Sequence, residues 1–296
     1  MLQDALHHKN PFVRKAAMKA LGLAKRAKPT PRPEDLRRLP PAIANSFPKS
    51  GTHLLDQLVG ALPGRVNYGE FHSSMTSSFV FRRVPDEKTA ACMARNRPGE
   101  IVRAHLFYSR PASNALRSVN AAHYYIYRDP RDVVVSEAHY LRDMNRWHRL
   151  HQVFKQTATI EDAIRLAITG VGAEHPDFEY PNIGARFGQC AGWLSDPDCC
   201  AVRFEDLTGP GVEAELLRMA QHYAARSSDP VDPAALAAAM KDAAAPEKSH
   251  TYRSGKRGGW RNSFTPELRA LFDEVAGPLL IELGYEADRQ WVQSTE

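Results

Sequence analysis

The stretch Asn45-Ser46-Phe47-Pro48-Lys49-Ser50-Gly51-Thr52-His53-Leu54-Leu55 decides the reading of this chain. A short apolar run at Ile43 and Ala44 precedes it and reads as a buried strand, and a helical pattern starts at Thr52. Between them lies a tight turn with a lysine, two hydroxyls and a glycine. The free N–H groups of such a turn and of a helix start converge on one spot, where aligned amide dipoles attract an anion. Gly51 lets the backbone approach a phosphate, and Lys49 adds a full charge. A bare helix cap built from Ser-Gly-Thr is the structural alternative. The order is not that of a Walker A loop, which needs a leading glycine and ends in Gly-Lys-Ser/Thr.

Length and composition allow one large α/β domain or two small ones. The chain has 296 residues, 43% of them hydrophobic, and a net charge of +5. The positive balance favours acidic ligands without choosing among them. No apolar run is long enough to span a membrane, and Asp4, His7, His8 and Lys9 interrupt any leader-like pattern, so a cytoplasmic protein is expected. The spacing of Cys92, Cys190, Cys199 and Cys200 fits no zinc site and reads as free thiols. His148 and His151 stand three apart, but with no third ligand at a useful spacing they read as a solvated helix face. No nucleic-acid-binding module is present.

Residues 10–27 read as a basic amphipathic helix whose apolar face is mostly alanine. It could make weak contact with a membrane surface, or it packs on the domain with a solvated basic side. Five prolines among residues 28–41 read as an extended connector, so residues 1–41 form an N-terminal appendage to a single domain over 42–296. Strands are predicted at 43–47, 101–106, 123–128 and 199–204. Helices are predicted at 52–61, 131–143, 160–169, 182–195, 212–225, 233–243 and 266–283. That alternation implies a three-layer α/β/α domain with a central, mainly parallel sheet.

A second anchor is Tyr127-Arg128-Asp129-Pro130-Arg131-Asp132-Val133-Val134-Val135-Ser136. Arg128 falls at the carboxyl end of a strand, where open α/β sheets bind ligands, and Ser136 follows within the next helix. An arginine and a hydroxyl so placed could hold a phosphate; a salt-bridged strand-to-helix turn is the alternative. A third segment, Arg253-Ser254-Gly255-Lys256-Arg257-Gly258-Gly259-Trp260-Arg261, is glycine-rich, basic and aromatic, a composition suited to a loop that closes over a ligand. Ile101 to Leu106 reads as a strand ending in His105.

Taken in order, these segments resemble the cytosolic-type sulfotransferases over roughly residues 42–285. Pro48-Lys49-Ser50-Gly51-Thr52 is similar to that family's 5′-phosphosulfate loop. Arg128, Pro130, Asp132 and Ser136 match its 3′-phosphate motif Arg-x-Pro-Lys/Arg-Asp-x-x-x-Ser, and Arg253 and Gly255 match its C-terminal loop, with Ser254 where a lysine is usual. The resemblance implies a P-loop-like nucleotide-binding fold. It implies 3′-phosphoadenosine 5′-phosphosulfate (PAPS) as sulfuryl donor, its 3′,5′-bisphosphate (PAP) as product, and no metal. It places His105 as the catalytic base and Lys49 as the stabiliser of the leaving phosphate. Lys49, Ser50, Gly51, Thr52 and His53 would hold the 5′-phosphosulfate; Arg128, Ser136, Arg253 and Gly255 would hold the 3′-phosphate. Phe204, within Arg203-Phe204-Glu205-Asp206, stands where the family has a tyrosine near the adenine, and Leu54 where it commonly has a stacking tryptophan. The acceptor would be a hydroxyl of a small alcohol or phenol, a lipid or a glycan. The family's C-terminal dimer motif is not kept. The competing readings are a small-molecule kinase, which needs carboxylates for Mg²⁺, and a nucleotide-binding protein without catalysis.

Overall fold

A computed structural model describes residues 11–27, 36–172, 178–244 and 257–293. Five parallel strands form its sheet: β1 (Ala42–Ser46), β2 (Phe71–Ser73), β3 (Ile101–His105), β4 (Ala122–Tyr127) and β5 (Cys199–Arg203), in the order β2-β3-β1-β4-β5. The helices along the chain are α1 (Pro11–Ala27), α2 (Thr52–Val59), α3 (Asp86–Met93), α4 (Arg110–Ser118), α5 (Pro130–His139), α6 (His151–Lys155), α7 (Ile160–Thr169), α8 (Ile183–Gly188), α9 (Gly192–Ser195), α10 (Phe204–Leu207), α11 (Val212–Ala224), α12 (Pro233–Ala243) and α13 (Pro266–Glu282).

Alternation along the central strands divides the core into two faces. Ile43, Val102, Ala104 and Tyr125 join one apolar cluster with residues of α5, α7 and α13, including Val134, Ile164 and Phe272. Ala42, Ala44, Ile101, Tyr124 and Ile126 join the other with residues of α2, α11 and α12, including Leu55, Met219 and Met240. This is the three-layer α/β/α arrangement that the sequence predicts. Parallel strands buried on both faces read as near-continuous apolar runs, which is why the central strands β1 and β4 were legible.

Local chemistry fixes the helix starts. Asp129 accepts from the Arg131 N–H at the start of α5, where Pro130 occupies the first turn. Thr159 and Asp162 close a reciprocal capping box on α7. Thr265 caps α13, again with a first-turn proline.

Several boundaries depart from the sequence expectation. The helix predicted over 131–143 keeps α geometry only to His139; Tyr140–Met144 form a π-helical turn. The span 182–195 is two short helices, α8 and α9. In α13, Ala276 leaves helical geometry (φ −149°) two residues before Pro278, whose ring cannot continue the hydrogen-bond ladder. Strand β2 and helices α3, α4 and α6 were not predicted.

Helix α1 packs on the domain. Gly22 is so close to residue 68 that a Cβ there would stand 2.1 Å from the Tyr68 carbonyl oxygen, and Met18 meets Gly69 in the same way. Ala17 is buried in this contact, whereas Leu23 is exposed. No helix among the described residues is long and apolar enough to cross a membrane.

Candidate active site

The strand β1 runs into the phosphate-loop candidate, and the loop curls as the sequence demands. Lys49 takes a left-handed backbone (φ 66°), and so does Gly51 (φ 100°). Only glycine adopts the second conformation without strain, and here it also lacks room for a side chain. A Cβ on Gly51 would lie 2.6 Å from Phe204 Cδ2 and 3.1 Å from Ile126 Cδ1. The Phe47 N–H donates to the Ile126 carbonyl and the Ser50 N–H to the Phe47 carbonyl, which pins the turn against β4. Helix α2 then starts at Thr52 with Gly51 as its N-cap and no side-chain cap. Its first N–H groups therefore have no intrahelical partner and face the loop. The Ser50 hydroxyl is fully buried and has no hydrogen-bond partner among the described residues. A buried unpaired hydroxyl carries a penalty that an incoming phosphate oxygen removes.

His105, the last residue of β3, lies beside this loop. Its Nδ1 is 2.8 Å from the Ser46 carbonyl oxygen, which can only accept, so Nδ1 carries the proton. In the neutral ring Nε2 then holds the lone pair, the form a general base requires. Burial pushes the His105 pKa below its ordinary 6.5; the Ser46 carbonyl opposes that shift, while the positive fields of His53 and Lys49 reinforce it. The Ser46 hydroxyl lies 3.1 Å from the same Nδ1 and 2.7 Å from Thr52 Oγ1. Ser46 thus connects the base to the first residue of α2. Its role was not read from the sequence, although strand register provides the signal: Asn45 pairs with Ala104, so the next residues on both strands are Ser46 and His105. The segment after His105 is held in turn by Ser74, whose hydroxyl accepts from the Phe107 N–H, and by Asn45, which accepts from the Leu106 N–H.

At the end of β4 the Arg-Asp-Pro-Arg-Asp segment forms the salt-bridged strand-to-helix turn that was the alternative reading. Arg131 is the structural arginine. It is buried, forked onto Asp129, paired with Glu286, and set between the rings of Trp260 and Trp291, 4.0 and 4.8 Å from their centres. Arg128 is the more accessible one. Its guanidinium pairs with Asp132 at 3.0 Å and lies 4.7 Å over the Phe204 ring. Phe204 therefore sits between Gly51 and Arg128, in contact with both halves of the candidate site. Asp132 also accepts from the backbone N–H groups of Gly258 (3.0 Å) and Trp260 (2.8 Å), which ties the C-terminal loop to this turn. Burial raises the Asp132 pKa, opposed chiefly by Arg128. Ser136 is half-buried and follows Asp132 by one helical turn on the same face of α5.

Lys49 Nζ lies 4.1 Å over the ring of Tyr140. His53 is placed on the first turn of α2. Leu54 is buried among Ala42, Leu58 and Phe204 rather than presented as a stacking surface. Arg253 and Gly255 lie outside the described residues. One aromatic ring lies against His105. Phe71 meets the imidazole edge-on, 5.1 Å between ring centres, and is half exposed. Phe79, Val80 and Met144 are exposed, and Phe81 packs on His148. Tyr108, by contrast, is turned into the core against Trp193 and Gly192. His148 and His151 make separate backbone contacts, and no group of three His, Cys, Asp or Glu among the described residues could hold a metal.

Comparison with known proteins agrees with this geometry. Residues 40–176 match the sulfotransferase domain family. A flavonol sulfotransferase-like protein of Flaveria bidentis is 25% identical over 254 residues, 78% of each chain. A flavonol 3-sulfotransferase of the same plant is 24% identical over 260 residues, again 78% of each chain. A mouse sulfotransferase structure complexed with PAP superposes with a TM-score of 0.53 at 19% identity, covering 84% of this chain and 88% of the other. Retinol dehydratase, in complex with androsterone and inactive cofactor PAP, gives a TM-score of 0.51 at 14% identity, covering 88% of this chain and 85% of the other. Those two likenesses speak for the fold. Residues 40–176 thus match the sulfotransferase domain family, and over 78% of its length the chain is similar to plant flavonol sulfotransferases.

Proposed function

We propose that this chain moves the sulfuryl group of PAPS to the hydroxyl of an apolar acceptor by in-line displacement, with His105 as general base. The observation that carries the reading is the tautomer of His105. The Ser46 carbonyl accepts a hydrogen bond from Nδ1–H, and the same residue's hydroxyl joins His105 to Thr52 at the mouth of the phosphate loop. A base held in its working form next to an anion-binding turn suits proton removal from a hydroxyl that attacks a bound phosphosulfate.

The residues present fit the donor. The unpaired buried hydroxyl of Ser50 and the first N–H groups of α2 supply donors for phosphosulfate oxygens, with His53 beside them. Lys49 adds positive charge at the point where charge builds on the leaving phosphate. Arg128 and Ser136, with Arg253 and Gly255 of the C-terminal loop, take the 3′-phosphate. Phe204 forms the apolar floor between the two anion sites. The transfer needs positioning and a positive field, and no step calls for a metal.

The half-exposed Phe71 against the His105 ring favours a flat apolar alcohol or phenol. A lipid alcohol shares that chemistry; a glycan does not. Calorimetric titration of the whole chain tests the donor reading. PAP should bind without Mg²⁺ and more tightly than ATP. Tighter binding of ATP that depends on Mg²⁺ would favour a kinase instead.

A further inference from the structure

Lys49 reaches its position through a strained backbone, and its ammonium is then laid on an aromatic face. The left-handed φ of 66° is unusual for a residue with a side chain, and Nζ ends 4.1 Å from the centre of the Tyr140 ring. Tyr140 is itself held at both ends. Its hydroxyl accepts from Asn145 Nδ2 at 2.8 Å, and its carbonyl accepts from the Asn145 N–H at 2.9 Å, an i to i+5 bond that closes the π-helical turn. Asn145 in turn accepts from the Trp147 N–H.

The ring also has a defined place relative to the other anion site. Asp132, Ser136 and Tyr140 are spaced by four, a row that runs from the first turn of α5 to its C-cap, where the π-helical turn begins. Eight residues of helix span about 12 Å. One end of this row carries the Arg128–Asp132 pair and the other carries the ring under Lys49. The guanidinium and the ammonium are thus anchored at the start of α5 and at the residue that follows its end.

We infer that Tyr140 is a positioning residue for Lys49: its ring face, fixed by Asn145, holds the ammonium at the phosphosulfate loop before the donor arrives. A lysine side chain carries about 2 kcal/mol of rotamer entropy. A lysine already confined on an aromatic face loses less of it when an anion binds. The inference rests on the donor reading of Lys49 given above.

The test is made on the whole chain with PAPS as the titrant, and with 4-nitrophenol as acceptor wherever the wild-type chain turns it over. Tyr140→Phe should bind PAPS within about twofold of wild type. Tyr140→Leu should bind it about 3- to 30-fold more weakly, the range of a partly desolvated cation–π contact. In a Lys49→Met background the Tyr140→Leu change should cost nothing further. Fluorinated phenylalanines at position 140 guard against a folding defect, because they keep the shape and weaken the ring's negative face. PAPS affinity should fall stepwise with fluorine number. An equal Tyr140→Leu loss in the Lys49→Met background, or a flat fluorine series, would overturn the inference. A wild-type chain that does not bind PAPS at all would instead sink the donor reading itself.

Discussion

Replacing His105 by alanine separates chemistry from binding at this site. The imidazole donates Nδ1–H to the Ser46 carbonyl at 2.8 Å, which leaves Nε2 as the acceptor, and burial lowers its pKa from the ordinary 6.5. A group titrating at that ordinary value is already about three-quarters neutral at pH 7, and a depressed one more so. The neutral ring is the working form, so kcat/KM should fall as pH drops through a value below 6.5. Loss of a general base costs about 10²–10⁴-fold in turnover, or about 2.7–5.4 kcal/mol of barrier. The proposed donor contacts lie with Lys49, Ser50, the α2 amides and Arg128, so PAP affinity should stay within about twofold, well under the 1.4 kcal/mol of a tenfold change.

The assay is a pH series of initial rates with PAPS and the best acceptor from a panel of phenols, beside PAP titrations of the same proteins. The His105→Ala chain should have lost the acidic limb as well as the rate. A Lys49→Ala chain should keep that limb while losing turnover and some donor affinity. Near-normal turnover of His105→Ala, or an acidic limb that survives the substitution, would refute the assignment. It would make His105 a structural residue and His53 the next base to examine.

Arg128→Ala should weaken PAP by about 1.5–3 kcal/mol, the value of a charge-assisted bond, while AMP, which lacks the 3′-phosphate, loses much less; equal losses in parallel titrations would remove Arg128 from the 3′-phosphate site. Gly51→Ala must fit a side chain 2.6 Å from the Phe204 ring at a φ of 100°, so thermal unfolding should show a loss of about 1–3 kcal/mol together with weaker PAP binding; an unchanged midpoint would show that the turn relaxes freely. Burial holds His123 and His222 down to about 3, and His148 to about 4. The unfolded chain binds these protons first, so stability should fall as pH drops below about 6.5, by up to about 1.4 kcal/mol per pH unit for each of the three, and a His123→Gln chain should show a shallower slope in denaturant titrations between pH 4 and 6.

What the sequence made legible follows from how far each signal reaches along the chain. β1 and β4 are buried along nearly their whole length, and β3 and β5 carry buried apolar residues between partly buried ones, so all four stand out against polar loops. Strand β2 does not, because Phe71-His72-Ser73 is a three-residue edge with only partial burial. Helix α3 buries only Thr89 and Met93, so its apolar face leaves too faint a period to count. The π-helical turn after His139 changes the backbone by one residue per turn, which leaves no mark in a hydrophobic pattern. At the site, each motif was readable because a tight anion-binding turn needs particular residues close together in sequence. The connections between motifs were not, since they join residues far apart: Ser46 to His105, Arg128 to Phe204, Asp132 to Gly258 and Trp260.

Asp132 shows why the long connections matter to the short motif. Read in sequence, Arg128 and Asp132 are either a phosphate clamp or a self-satisfied ion pair. In the fold the carboxylate has two further donors, the amides of Gly258 and Trp260, divided between its two oxygens. A buried carboxylate that loses its sole cation is left strongly destabilised. One that keeps two charge-assisted amide bonds is not. Arg128 can therefore turn part of its guanidinium to an incoming phosphate without stranding the acid beneath it. The same two amides begin the described part of the C-terminal loop, so the carboxylate that supports the arginine also sets where that loop returns to the domain. On the proposed donor reading, clamp and ion pair would be one device, supported by amides some 130 positions downstream, at Gly258 and Trp260.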